Sequence, residues 1–212
     1  MSWRALREAR RYLAWAATGD LLVALSGRRA GWMSGATALA SLLFFRDPER
    51  ALEPEDDMVY ASADGVIVGI DEATDPWMDD PALRVSTFLS LHNVHVIRSP
   101  ATGRVAADEE VGGGYAPAFL GRSAQNLRKR IAIDGSSGRV VVVQIAGMLA
   151  RKITSWTDLG AGVTAGQRVG LIHLGSRTEV LLPRDRFEPL VRPGQRVRAG
   201  VTPIARTLEA GR

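Results

Sequence analysis

Ser176 stands in the run GLIHLGSRTEVLLP, where an apolar segment, a Gly-Ser pair and a second apolar segment follow one another. A serine hydroxyl can attack the carbonyl of its own preceding peptide and turn that amide into an ester. Elimination from the ester cuts the chain and leaves dehydroalanine, which hydrolyses to a pyruvoyl group. Gly175 suits such a step, because a residue without a side chain tolerates unusual φ and leaves its carbonyl open to close approach. Strain in the turn would help drive the shift. The dipeptide alone carries little weight, since Gly135-Ser136 is another in the same chain and an ordinary turn explains either.

Activating a serine takes a base, and the base takes an orienting carboxylate. Asp64 in SADGVIVGI and His95 in FLSLHNVHVIRSPATGRV supply those types, in the order Asp, His, Ser along the chain. Each has a simpler reading alone: Asp-Gly as a turn, a strand histidine as a hydrogen-bonded, half-buried side chain. Their convergence with Gly175-Ser176 favours self-cleavage. His92 reads as an exposed or supporting residue, whereas His173, two residues before Gly175, falls near the site. There is no cysteine, so disulfides, thiolate metal sites and cysteine nucleophiles are excluded, and a reducing compartment fits. Without HExxH-like spacing, no metal site is expected.

In order and spacing, FFRDPER, SADGVI, FLSLHNVHVIRSPATGRV, NLRKRIAI, VVVVQIAGMLARKI and GQRVGLIHLGSRTEVLLP resemble the short bacterial and archaeal phosphatidylserine decarboxylases, over about residues 40–185. The resemblance implies that the Gly175-Ser176 bond is a self-cleavage site and that Ser176 becomes a covalent pyruvoyl cofactor. A large chain, 1–175, and a small one, 176–212, would stay together as a heterodimer, with a higher oligomer left open. Asp64 matches the aspartate of the family's A/V-D-G motif, and His95 the histidine of N-V-H. The serine amine of phosphatidylserine would form a Schiff base with the pyruvoyl ketone, whose conjugated system accepts electrons as CO₂ leaves. His95 would then protonate the α-carbon, and phosphatidylethanolamine would be released. Arg98 and Arg177 would hold the phosphodiester or the carboxylate, unless they are surface arginines in an Arg-rich chain. Leu91 replaces the family's usual proline, and His173-Leu174 stand where arginine and phenylalanine are common. Arg98 occupies the place of a second histidine in the long forms, as is usual in short ones.

The elements that must position these residues read as two parts. Residues 1–50 hold a short basic helix with Arg4, Arg7, Arg10 and Arg11, then the apolar segments 12–26 and 31–45. Each segment is about fifteen residues, short of the ~20 that span a bilayer, and the first carries Asp20, costly at mid-membrane. A shallow or re-entrant helical hairpin is therefore expected, on the cytoplasmic face of the cell membrane, with Trp3, Trp15 and Trp32 at the interface. No small-residue cleavage site follows a single apolar core, so a cleavable signal peptide is not expected. The net charge of +4 conceals eight arginines against four acids in residues 1–50 and again in 176–212. That balance suits an anionic membrane surface, and the few aromatic residues are not interleaved with arginine as nucleic-acid stacking would require.

Beyond the Pro48 and Pro54 linker the pattern turns β-like. Strands are expected at Val66–Ile70, Leu83–Leu89, His95–Ile97, Gly103–Ala106, Leu127–Asp134, Arg139–Ile145, Arg168–His173 and Thr178–Leu182; only Gln144–Lys152 has helical character, with strand and turn as its alternative reading. V-x-x-G-Q-R-V occurs at 163–169 and again at 191–197, a turn and short strand repeated. The fold expected is mainly β: a compact antiparallel barrel or sandwich over 51–212 behind the N-terminal hairpin.

Other functions predict other features. A pyruvoyl decarboxylase of a free amino acid would not need residues 12–45. A lipoyl-type carrier module needs a lysine at a hairpin tip, and Lys129 and Lys152 do not sit between matched halves. A membrane-anchored structural protein leaves the trio of Asp64, His95 and Ser176 without a task.

Overall fold

The computed structural model describes residues 3–27, 29, 31–78, 81–114, 125–147, 152–173 and 176–208. Two compact units are present, Met1–Glu49 and Arg50–Arg212.

The first unit is helical: α1 (Trp3–Arg7), α2 (Arg10–Leu25) and α3 (Trp32–Phe44). The two apolar segments thus form α2 and α3, which pack against each other. Gly31, at φ 99°, turns the chain into α3 but offers no side chain to cap it. Asp20, from the middle of α2, does the capping instead. Its Oδ2 accepts the Ser34 N–H at 2.8 Å and the Ser34 hydroxyl at 2.5 Å, and its Oδ1 accepts the Met33 N–H at 3.3 Å. These are among the donors that a helix start leaves without partners. The Ser34 hydroxyl, followed by the backbone donors, holds the Asp20 carboxyl below its ordinary pKa. Among the described residues no helix is long and apolar enough to cross a membrane.

The second unit is built from β1 (Met58–Tyr60), β2 (Gly65–Ala73), β3 (Ala82–Leu89), β4 (Val96–Arg98), β5 (Gly103–Val111), β6 (Arg128–Gly135), β7 (Gly138–Ile145), β8 (Ile153–Ser155), β9 (Gly162–Val163), β10 (Arg168–Ile172), β11 (Ser176–Pro183), β12 (Phe187–Pro189), β13 (Arg196–Val197) and β14 (Pro203–Thr207). Eight strands make one curled antiparallel sheet in the order β13-β2-β3-β11-β7-β6-β5-β9, accompanied by the three-stranded sheets β4-β10-β8 and β1-β14-β12. This is the mainly β, antiparallel body that the pattern predicts. All eight expected strands are present; β1, β8, β9, β12, β13 and β14 are additional. They are two to five residues long, too short for alternation to show. Of the stretch Gln144–Lys152, read as helical or as strand and turn, the first two residues close β7, and residues 148–151 lie outside those described.

The repeated V-x-x-G-Q-R-V motif folds twice into the same turn. Gly166 and Gly194 sit at φ 79° and 87°, in the left-handed region that only glycine enters freely. Each following glutamine closes its turn from both ends. Gln167 accepts the Thr164 N–H on Oε1 at 3.0 Å and donates its own N–H to the Thr164 carbonyl at 3.0 Å. Gln195 does the same with Arg192, at 3.2 and 3.1 Å.

Side chains on the inner face of the large sheet fall into two buried clusters. One joins Val85, Val180 and Leu182 to Phe187 of β12, and the other joins Leu89 and Val142 to Ala146, Ile97 of β4 and Ile172 of β10. The outer face carries its own small cluster of Val141, Val143, Ile145 and Leu181. Odd and even positions of β7 and β11 therefore face opposite ways, as the two-residue period of a strand requires.

Candidate active site

Ser176 is the first residue of β11, in the middle of the large sheet, paired with Leu89 of β3. Its neighbours along the strand pair with β7 on the other side, Arg177 with Ile145 and Thr178 with Gln144. Residue 176 is thus held by β3 on one side, and the strand is held on both sides from Arg177 onward. Ser176 is fully buried, and among the described residues its Oγ has no hydrogen-bond partner. A buried hydroxyl without a partner is costly, by about 1–3 kcal/mol, and such a group calls for a functional reason. Gly175 and Leu174 lie outside the described residues.

Asp64 immediately precedes β2. The register of β2 on β3 pairs Val66 with Phe88, so Gly65 falls beside Leu89, the same residue that Ser176 faces from the other side. Two strand spacings, about 10 Å, separate the backbones of Gly65 and Ser176. Gly65 permits this approach: a Cβ there would lie 2.1 Å from the Phe88 carbonyl oxygen. The glycine of the Asp-Gly pair is thus explained by packing. The Asp64 carboxylate takes Arg50 Nη1 on Oδ1 at 2.6 Å and Nη2 on Oδ2 at 2.8 Å, and the Ala199 N–H on Oδ1 at 2.8 Å.

His95 is fully buried just before β4. Its carbonyl accepts the Ile172 N–H at 3.2 Å, which seats it beside the strand leading to Ser176. Its Nδ1 lies 3.0 Å from the Asn93 carbonyl. An Nδ1–H donated to that carbonyl leaves Nε2 as the basic nitrogen. Arg50 and Asn93 therefore enter the site as residues that sequence reading did not single out. Arg50 was within reach as the last residue of FFRDPER, but nothing in a sequence pairs it with Asp64 fourteen positions away.

The remaining candidates divide. His173 is fully buried; its N–H donates to the Lys152 carbonyl at 3.0 Å, and its Nε2 lies 3.4 Å from Thr154 Oγ1. It continues the strand toward Ser176. Arg98 is buried and donates Nη1 to the Gly166 carbonyl at 2.9 Å, which ties β4 to the first of the two repeated turns. Arg177 leaves β11 on the face opposite Ser176, where Nε donates to Glu179 Oε1 at 3.0 Å. Arg84 reaches the same Glu179 at 3.9 Å and holds Asp71 through two hydrogen bonds. That contact keeps the Asp71 carboxyl below, and Arg84 above, its ordinary pKa. The structure thus gathers Asp64, His95, His173 and Ser176 around one core: Ala63 next to Asp64, Leu89 paired with Ser176, and Ile172 next to His173 and bonded to the His95 carbonyl belong to a single buried cluster. Arg177 stays outside that group.

The sequence profile of the phosphatidylserine decarboxylase family matches residues 38–205. The chain belongs to this family. Among phosphatidylserine decarboxylase proenzymes, that of Symbiobacterium thermophilum is 43% identical over 183 residues, covering 82% of this chain and 84% of its own. That of Ruegeria pomeroyi is 37% identical over 204 residues, 93% of each chain. A protein of Methanosarcina barkeri, provisionally named an archaetidylserine decarboxylase proenzyme, is 42% identical over 164 residues, covering 77% of this chain and 75% of its own.

Proposed function

We propose that the protein is a proenzyme that cuts itself between Gly175 and Ser176 and then decarboxylates phosphatidylserine to phosphatidylethanolamine. The observation that carries this reading is Ser176 itself: a serine directly after a glycine, fully buried, its hydroxyl without a partner among the described residues, at the head of a central strand. Ser176 Oγ attacks the carbonyl carbon of residue 175; the C–N bond breaks, and the hydroxyl proton passes to the freed nitrogen. Removal of the Ser176 α-proton then expels the residue-175 carboxylate from Cβ, and water replaces the resulting imine nitrogen, which leaves as ammonia. His95 is the base for these proton transfers, with its ring oriented by the Asn93 carbonyl. Asp64 acts as a positioning residue, fastening the end of β2 through Arg50 and Ala199.

The buried, largely apolar surroundings of residue 176 fit a small ketone better than a charged serine-derived amine. A pyruvoyl group there supplies a carbonyl that takes up the substrate's amine and an electron sink for loss of CO₂. His95 holds the proton returned to the α-carbon. Arg98 and Arg177 are engaged with Gly166 and Glu179, and we assign them structural roles.

The strand ladders support the reading that the cut chains stay together. Residues 176–212 supply β11, held between β3 and β7, and also β13 on β2 and β14 on β1. Lipid access is assigned to the helical unit, which exposes Trp15, Leu22, Leu25, Trp32, Leu39 and Leu43. So many large apolar side chains on two short helices suit a hairpin lying in a membrane interface.

Intact mass spectrometry of the denatured protein tests the reading. Two chains, 1–175 and 176–212, are expected, the smaller with a blocked, ketone-reactive N-terminus, together with CO₂ release from phosphatidylserine vesicles. A single uncut chain after prolonged incubation with anionic lipid would overturn it.

A further inference from the structure

Three polar side chains lie in a row across the inner face of the large sheet, one step along from Ser176. Thr178 pairs with Thr87 on β3 and with Gln144 on β7. The row on one side of them is Val85, Val180 and Val142, and on the other Leu89 and Ser176. Thr87 is 4% exposed, Thr178 1% and Gln144 0%. Among the described residues neither amide atom of Gln144 nor the hydroxyl of Thr178 has a hydrogen-bond partner. Burying an unpaired carboxamide inside an apolar core costs about 1–3 kcal/mol, and a methionine or leucine would fill the same space without that cost.

Room has also been made for the carboxamide. Gly170 of β10, in the sheet that carries the strand leading to Ser176, has its Cα directed at it: a Cβ at 170 would lie 3.2 Å from Gln144 Oε1 and 2.7 Å from the Thr154 carbonyl oxygen. Gln144 and Ser176 are diagonal neighbours on adjacent strands of one face, a separation of about 7–8 Å between backbones that a glutamine side chain bridges.

We propose that Gln144, supported by Thr178, is the hydrogen-bond donor to the reacting group at residue 176. This rests on the self-cleavage reading above. When Ser176 Oγ adds to the preceding carbonyl, negative charge develops on that carbonyl's oxygen beside residue 176, in surroundings from which water is excluded. A fixed N–H donor aimed at developing charge is strongest in such a place, and loss of one such donor slows a reaction by about 10²–10³-fold. The unpaired state of Gln144 before reaction is what this role requires, because its bond is made only as charge appears.

The test compares Gln144→Met and Thr178→Val with the wild type, following the rate of chain cleavage after synthesis by gel and intact mass. Melting temperatures of Gln144→Met and its parent are measured in a Ser176→Ala background, where no chain is cut. Expected are cleavage slowed at least about tenfold in Gln144→Met, more than in Thr178→Val, and a melting temperature equal to or above that of the parent. Cleavage of Gln144→Met at the wild-type rate overturns the inference. Slow cleavage accompanied by a lowered melting temperature overturns it too, since the residue is then structural. An uncut wild-type chain instead sinks the self-cleavage reading, and this inference with it.

Discussion

Arg50 clasps Asp64 through a two-pronged ion pair, Nη1 to Oδ1 at 2.6 Å and Nη2 to Oδ2 at 2.8 Å, with side chains only 3% and 13% exposed. Both residues also bind the backbone of Ala199: Arg50 Nη1 donates to its carbonyl at 2.6 Å, and Asp64 Oδ1 accepts its N–H at 2.8 Å. Ala199 belongs to residues 176–212, the segment proposed above to become the small chain, so on that proposal this knot would join the two chains. Removing one partner leaves a buried charge without compensation, a loss of about 3–5 kcal/mol, whereas removing both restores part of it. Urea denaturation of Arg50→Met, Asp64→Leu and the double variant should therefore show the double variant more stable than the sum of the single losses predicts. Strict additivity would mean the pair is not coupled.

The proposed roles around Ser176 differ in severity, and mass spectrometry separates them. Ser176→Ala removes the nucleophile and should yield only the uncut 212-residue chain. His95→Ala removes the base and should slow cleavage by about 10²–10⁴-fold, the usual worth of a positioned general base. His95→Ala cleaving at the wild-type rate would remove His95 from maturation.

The cap that Asp20 places on α3 makes a prediction for the helical unit. Asp20→Ala leaves the Met33 and Ser34 N–H groups without their acceptor. Loss of such a cap costs about 1 kcal/mol. Protease cutting in the connection between α2 and α3 should quicken in Asp20→Ala and be largely restored in Asp20→Asn, which keeps one acceptor oxygen.

Acid should weaken the β unit through two surface pairs. Arg84 holds Asp71, and Arg139 holds Asp134, below the ordinary carboxylate value of 3.8. A carboxyl with a lowered folded-state pKa contributes stability that is complete above its unfolded value and is lost as pH falls through the folded one. The melting temperature should therefore drop below about pH 4, and the drop should be shallower in an Asp71→Asn, Asp134→Asn double variant. Each pair is solvent-exposed, so its share is at most about 1 kcal/mol. Equal acid profiles for the two proteins would show that other carboxyls govern the loss.

Local pattern alone determined a good deal about this protein. The Gly175-Ser176 pair between apolar runs, the Asp-Gly at 64–65 and the strand histidine at 95 are statements about residue type and order, and those survive without a fold. Six of the eight expected strands, β2, β3, β5, β6, β7 and β11, were legible because each is long enough, at eight or nine residues, for its alternation or its apolar run to show. The other two, β4 and β10, are as short as the strands that were missed and were legible only from their β-branched and apolar residue types. The twin turns were legible because a left-handed glycine followed by a self-closing glutamine is encoded within four residues. What lay beyond reach was everything set by register and by which face a side chain takes. Only strand order puts β2 and β11 on either side of β3, bringing Asp64 and Ser176 within two strand spacings of each other. Only the pleat turns Arg177 away from Ser176 and toward Glu179, and only pairing sets Gln144 beside Thr178. Asp20 shows the same limit from the other side: costly in an apolar helix by composition, it becomes a cap once α3 starts within its reach. Contacts between residues far apart in the chain depend on the whole packing, and no local window contains them.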